Sequence, residues 1–396
     1  MSETTEPDTG DKERSPDTGD REVGPDTADR EPGPDRSDPE LSGAGTDLVD
    51  LAKLGDWMDA QGLAPGAISD AEALAGGTQN LLLRFQRAGR TYVLRRGPRH
   101  LRRLSNDVMR REARVLQALA GSDVPHPAFV AGPGEPETGV AGDAVFYLMD
   151  PVDGFNPAGG LSPQLKDVPD AGRQIGLHMA DAIAALGAVD HDAVGLADLG
   201  KPGNFLERQV PRWLGELDSY AELEGYPGPE IPGVDPVGAW LDANRPTSWR
   251  PGIMHGDYHL ANVMFAPDSP RLAAIVDWEM CTIGDPLLDL GWLLATWPDP
   301  TAAAETQAAG LVSGALAQIP DLPTRDELVA RYAERSDRDL GAITWYSVLA
   351  CYKLGIVLEG THARACGGKA PKATGDMLHA VTLGLFARAQ AFIAGA

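Results

Sequence analysis

Residues 252–265 read GIMHGDYHLANVMF, and no other stretch restricts the fold so tightly. His255, Gly256 and Asp257 open a loop, and Asn262 follows Asp257 by five positions. The apolar run VMFA then leaves the loop, PDSP turns, and LAAIVD returns to end at Asp277. Two short apolar runs around a Pro/Asp/Ser turn predict a hairpin, and a hairpin of this length sets the second carboxylate beside the first. Two carboxylates and an amide so placed suit phosphoryl transfer. Asp257 would accept the proton of an attacking hydroxyl, while Asn262 and Asp277 would hold magnesium against nucleotide phosphates. Magnesium asks for few protein ligands, all oxygen, and Asn with Asp supplies them.

The chain has room for two lobes around such a loop: 396 residues, 43% hydrophobic and 23% charged. A net charge of −24 argues against nucleic acid or an anionic membrane as partner. Cys281, Cys351 and Cys366 match neither a zinc ribbon nor a disulfide framework, so a reduced, cytoplasmic setting is expected. No basic-then-apolar leader and no run of about 18 apolar residues stands out.

Residues 1–45 form an acidic tail of repeated PDT units, with 14 acids and 5 bases in the first 44 positions. The repeats have no hydrophobic face, so neither a core nor a solenoid is expected there and the tail reads as disordered. DLVDLAKLGDWMDAQGL then has helical spacing, ending near Gly62. AEALAGG, LLLRFQRAG and TYVLRRG read as strands, the last two joined as a hairpin at RAGR. NDVMRREARVLQALAG reads as a helix capped by Asn106, and VFYLMD as a further strand. From about Pro151 the pattern is mostly helical. The expected organisation is a β-rich lobe over 46–150 and a helical lobe over 151–396.

The step from Asp257 to Asn262 equals the Asp-to-Asn spacing of the kinase catalytic-loop signature, with Gly256 where that signature has Arg. HGDYHLANVMF with IVDWEMCTIGDPLLDLGWLL resembles the aminoglycoside phosphotransferase-type kinases, above all the branch also found fused to acyl-CoA dehydrogenases. LAGGTQNLLLRF, YVLRRGP, REARVLQALAGSDVPHP, VGLADLG and ERQVPRW agree with that branch. The likeness runs from about residue 70 to 365 and is most specific over 254–292.

The resemblance implies an α+β, bilobal protein-kinase-like fold with Asp257 as catalytic base and Asn262 and Asp277 as metal ligands. It implies that Gly76, Gly77, Thr78, Gln79 and Asn80 form the turn over the phosphates, where backbone N–H groups approach the anion. Arg95 takes the place of the third-strand lysine, Glu112 that of its helix-borne partner, and Met149, Asp150 and Val152 that of the hinge against which adenine lies. The cofactors implied are ATP, with GTP as the alternative, and Mg2+. Two positions depart from the family: Arg95 is a planar fork rather than a point charge, and Gly187 stands where the branch carries histidine.

Plainer readings compete at several positions. Asp257 alone suits a turn cap, and Arg95 with Glu112 suits an ordinary surface ion pair. His255 and His259, four apart, invite zinc; Gly256 disfavours the helix that would align them, so His255 is expected to bond loop backbone. Asp285 and Asp289 are expected as buried caps bracing the loop. Arg208, Arg212 and Arg364 suit either an anionic substrate group or a helix face.

Asp277 reaches GDPLLDLGW by Asp285, leaving no room for the long segment on which protein kinases lay a peptide. The expected acceptor is a small-molecule hydroxyl in a pocket walled by NFLERQVPRWLGELDSY and ITWYSVLACYKLGIVLEGTHARA. The family implies aminoglycosides, amino alcohols or sugars, and the branch implies hydroxyacyl compounds. Two alternatives are a silent nucleotide-binding module and a metal-dependent hydrolase built on His255, Asp257 and His259. The oligomeric state is left open.

Overall fold

The computed structural model describes residues 46–74, 80–298 and 319–396. The acidic tail and Gly76, Gly77, Thr78 and Gln79 lie outside these. Helix α1 (Leu51–Ala60) starts where the Asp50 carboxylate accepts the N–H groups of Ala52 and Lys53, and it buries Leu54 and Met58. Five antiparallel strands follow: β1 (Ile68–Ala73), β2 (Leu81–Arg87), β3 (Arg90–Arg96), β4 (Phe129–Gly134) and β5 (Phe146–Met149), in the spatial order β1-β2-β3-β5-β4. The hairpin between β2 and β3 closes through Ala88 and Gly89, both at positive φ, which matches the twist of the paired strands. Strand β4 (FVAGPG) escapes a sequence reading because Gly and Pro break its pattern, and its register with β5 shifts twice.

Helix α2 (Ser105–Ala118) connects β3 to β4. Asn106 does not cap it. The helix opens at Ser105, and the Asn106 side chain instead bonds the Asp143 carbonyl and the Val145 N–H, pinning the approach to β5. One face of α2, including Met109, Ala113 and Leu116, belongs to the larger hydrophobic core, while Leu83, Phe85, Leu94, Phe146 and Leu148 form a separate core under the sheet with α1.

Beyond β5 the chain is mostly helical: α3 (Ala171–Ala188), α4 (Gln209–Ser219), α5 (Val234–Ala243), α6 (Leu287–Thr296), α7 (Arg325–Arg335), α8 (Ile343–Cys366) and α9 (Lys372–Ala394). Two small antiparallel ribbons interrupt it. The expected hairpin is present as β7 (Val263–Phe265) and β8 (Leu272–Ile275), and β6 (Gly252–Met254) pairs with β9 (Thr282–Gly284) to bring the stretches before and after it together. By composition α9 is long and apolar enough to span a membrane; Val381, Leu385, Phe386 and Ala389 are buried along it, and it also carries Asp376, His379 and Arg388.

Candidate active site

The loop from His255 to Asn262 is fixed from behind. Asp289, in the first turn of the fully buried α6, accepts the N–H groups of His255 at 2.6 Å and Gly256 at 2.8 Å. The Lys353 ammonium of α8, 6% exposed, lies over the rings of Trp213 and Trp292 and donates to the Gly256 carbonyl at 3.2 Å. Gly256 itself has φ +86°, and a Cβ there would lie 2.5 Å from the Met280 carbonyl oxygen. That close approach explains why glycine stands in this place. Asp285 is buried as expected but accepts the Leu287 N–H and the Tyr346 hydroxyl, so it caps α6, and Asp289 is the one of the two that bonds the loop. Lys353 was not legible: a single lysine inside an apolar helix shows no local partner.

In front, the chemistry-bearing groups converge. The Asn262 amide donates to the Asp257 backbone carbonyl at 2.9 Å and to Asp257 Oδ2 at 3.1 Å. With its N–H₂ end so used, Asn262 Oδ1 makes no hydrogen bond among the described residues and is free to face a cation. His259 Nε2 lies 3.4 Å from Asp257 Oδ1. Burial disfavours the His259 imidazolium, yet the Asp257 carboxylate outweighs it and raises the group above its ordinary 6.5. Asp277 sits at φ +66°, an unusual conformation for a residue with a side chain, and its carboxylate is 41% exposed.

The opposite wall comes from the sheet. Arg95 of β3 donates Nε to Glu112 Oε2 at 2.8 Å and Nη2 to Glu112 Oε1 at 2.7 Å, a two-pronged pair that is buried rather than a surface one. The same Nη2 reaches Asp277 Oδ1 at 3.0 Å, across 182 positions of sequence. Burial opposes the Arg95 charge, but Glu112, Tyr147 and Asp277 outweigh it and hold the guanidinium well above its ordinary value. Burial lifts the Glu112 carboxyl, with Arg95 and the Tyr147 hydroxyl at 3.3 Å pulling back.

Asn80 stands at the start of β2, half-buried. Met149 pairs with Val93 and Phe129, Asp150 is bonded to Arg90 at 2.6 Å, and Val152 follows, half-buried, on the segment that crosses between the lobes. Other candidates do not converge. Arg208 folds back onto the Lys201 and Gly203 carbonyls, Arg212 lies over the Trp213 ring, and Arg364 donates to Thr361. His255 Nε2 bonds the Val276 carbonyl at 3.0 Å, as expected of a structural histidine, and the described residues gather no metal-ligand group around it and His259. Gly187 packs against Pro286 and offers its carbonyl to Arg338, so no histidine role is taken up there.

A five-stranded sheet lobe over a helical lobe, with an Asp/Asn loop, a hairpin aspartate and a buried third-strand ion pair in the cleft, defines the kinase-like class of folds. The chain belongs to the phosphotransferase enzyme family, whose model matches residues 70–328. Among solved structures it resembles that of a Ralstonia eutropha protein described as an aminoglycoside phosphotransferase, with 29% identity, a TM-score of 0.67, and 87% of this chain and 99% of that one covered. Its fold is also that of wild-type aminoglycoside 2′-phosphotransferase-IIIa in a GDP complex, with 17% identity, a TM-score of 0.53, and 84% and 98% covered.

Among curated relatives it is 27% identical over 299 residues to acyl-CoA dehydrogenase family member 10 of Mus musculus, and 28% identical over 312 residues to family member 11 of Gallus gallus. These matches take in 75% and 77% of this chain but only 27% and 38% of the relatives, so the likeness spans well under half of their length.

Proposed function

We propose that the protein transfers the γ-phosphoryl group of ATP to a hydroxyl of a small molecule, with Asp257 as the base and Asn262 and Asp277 as magnesium ligands. The observation that carries this reading is the gathering of polar groups in the cleft, where Arg95 joins Glu112 to Asp277 and Asn262 joins Asp257. The donor set fits the ion: Asn262 Oδ1 has no hydrogen bond among the described residues, Asp277 is half exposed, and both are hard oxygen ligands. Bound magnesium would neutralise and orient the phosphate oxygens.

Asp257 takes the proton as the acceptor oxygen bonds to the γ-phosphorus and the bond to the β-bridging oxygen breaks, releasing ADP. His259 holds the Asp257 carboxylate in place. Arg95, oriented by Glu112, is positioned to meet the nucleotide phosphates, with the turn at Gly76, Gly77, Thr78, Gln79 and Asn80 above them and adenine against Met149, Asp150 and Val152. The likeness to a phosphotransferase in a GDP complex supports nucleotide use and keeps GTP as the alternative donor. The short path from Asp277 to Asp285 supports a small acceptor, and three free cysteines support a cytoplasmic setting.

The test separates the two aspartates. Asp257→Asn is expected to bind ATP with magnesium yet lose about 10²–10⁴ in turnover, as for a positioned acid–base group. Asp277→Ala is expected to lose the magnesium dependence of nucleotide binding as well as turnover. Calorimetric titration of ATP with and without magnesium reads the binding half. A screen of alcohols, amino alcohols, antibiotics and hydroxyacyl thioesters for acceptor-dependent ADP release reads the other. Unchanged magnesium-dependent binding in Asp277→Ala removes the metal site, and binding without turnover on any acceptor leaves the silent nucleotide-binding module.

A further inference from the structure

Helix α8 carries a second set of ligand-type side chains, away from the cleft. Glu359, His362 and Cys366 are spaced i, i+3 and i+7, which puts all three on one face of the helix. The neighbouring α9 adds His379. One ligand atom from each of Glu359, His362 and His379 lies within 4.8 Å of the other two. His379 Nδ1 is 2.7 Å from Glu359 Oε2, and the two imidazole rings stack with centroids 4.5 Å apart. Cys366 lies outside this trio and meets it at His362, with Sγ 3.6 Å from Nε2.

We propose that Glu359, His362 and His379 bind a zinc ion that clamps α8 to α9, with Cys366 turning in from beside His362 as the fourth ligand. The donor set is one carboxylate, two imidazoles and one thiol, which is the chemistry of a four-coordinate zinc site. With Zn–S near 2.3 Å and Zn–N near 2.0–2.1 Å, sulfur and nitrogen on neighbouring corners of a tetrahedron stand roughly 3.5 Å apart, close to the Cys366–His362 separation. The Glu359–His379 hydrogen bond must open by roughly half an ångström as the ion replaces its proton, and the stacked rings of His362 and His379 must turn so that their in-plane nitrogen lone pairs converge on the ion.

Two further observations point to a cation. Glu359 is fully buried; it accepts the Tyr226 hydroxyl at 2.7 Å and meets His379, with which it forms an ion pair when that imidazole is protonated. A divalent ion would balance the buried carboxylate in place of the proton on His379. His362 Nδ1 is buried without a hydrogen-bond partner, 4.0 Å from the Asp376 carboxylate, which places a carboxylate behind the ligand histidine. Tyr226 plays the same supporting part for Glu359. Cys366 is exposed, which leaves the ion a way in.

The proposal is independent of phosphoryl transfer and is tested on the full chain with zinc chloride and cobalt chloride. One equivalent of zinc is expected to bind in competition with a chromophoric chelator and to raise the melting temperature, because the ion binds the folded chain. Cobalt is expected to give a thiolate-to-metal charge-transfer band. Cys366→Ser, an exposed and nearly isosteric change, should abolish that band, and Cys366→Ser, His362→Ala and His379→Gln should each weaken zinc roughly tenfold to a hundredfold or more. Zinc should also shield Cys366 from alkylation; Cys281 and Cys351 are buried, the latter thiol pushed up to about 12 by burial. The assignment is overturned by no bound equivalent, by a cobalt spectrum without the thiolate band, or by zinc affinity unchanged in all three variants.

Discussion

The two faces of the loop from His255 to Asn262 are built in opposite ways. Behind it, Asp289 and Lys353 are 2% and 6% exposed and hold the backbone of His255 and Gly256. In front, the Asp257 and Asp277 carboxylates are 29% and 41% exposed. A buried carboxylate that loses its N–H partners has no water to replace them, so the rear contacts fix the loop. The front carboxylates keep water that a ligand can displace. Arg95 stands on the boundary, sharing one guanidinium between buried Glu112 and half-exposed Asp277. The contrast separates a buried, bonded rear face from a front face whose carboxylates solvent can reach.

Removing the rear brace should cost the most stability. Asp289→Ala orphans two buried N–H groups and is expected to destabilise the fold by about 2–5 kcal/mol, read as a lower midpoint in urea unfolding. A loss below about half a kcal/mol, typical of an exposed surface change, would break the distinction between the faces.

Next comes the boundary. Arg95→Ala is expected to weaken ATP binding and turnover together, while Arg95→Lys, which keeps the charge but loses the fork, should retain part of both. Normal kinetics in Arg95→Ala would take the ion pair out of the site.

The smallest effect belongs to the front face. His259 is raised above its ordinary value, burial working against it and Asp257 for it. A histidine raised on folding contributes stability that is fully present below the unfolded value near 6.5 and is lost as pH rises through the higher folded value. In Asp257→Asn the His259 ring signals, followed by NMR, should titrate at a lower pH than in the parent chain. An unmoved titration would show that the two side chains are not coupled.

Legibility followed the range of the signal. The hairpin carrying Asp277 was readable because two apolar runs and a turn lie within 15 residues, and the burial of Asp285 and Asp289 because they open a strongly apolar helix. The helix start at Ser105 was misread by two positions because Asn106, a good cap by type, has its hydrogen bonds claimed by the strand approach at 143–145. Lys353 gave no signal, since its partners are a carbonyl 97 positions away and two tryptophans on other helices.

What the sequence determined by itself is the set of local patterns: the Asp257-to-Asn262 step, the returning hairpin, the β2–β3 turn and the helix-face spacing of Glu359, His362 and Cys366. Each is set by backbone periodicity and turn chemistry over a few residues. Tertiary structure alone decided which charges meet. It placed Arg95 between Glu112 and Asp277, set Lys353 behind Gly256 and laid His379 against Glu359. Those contacts exist because packing two cores against each other brings distant side chains out of water together, and a charge removed from water must find its partner wherever the fold supplies one.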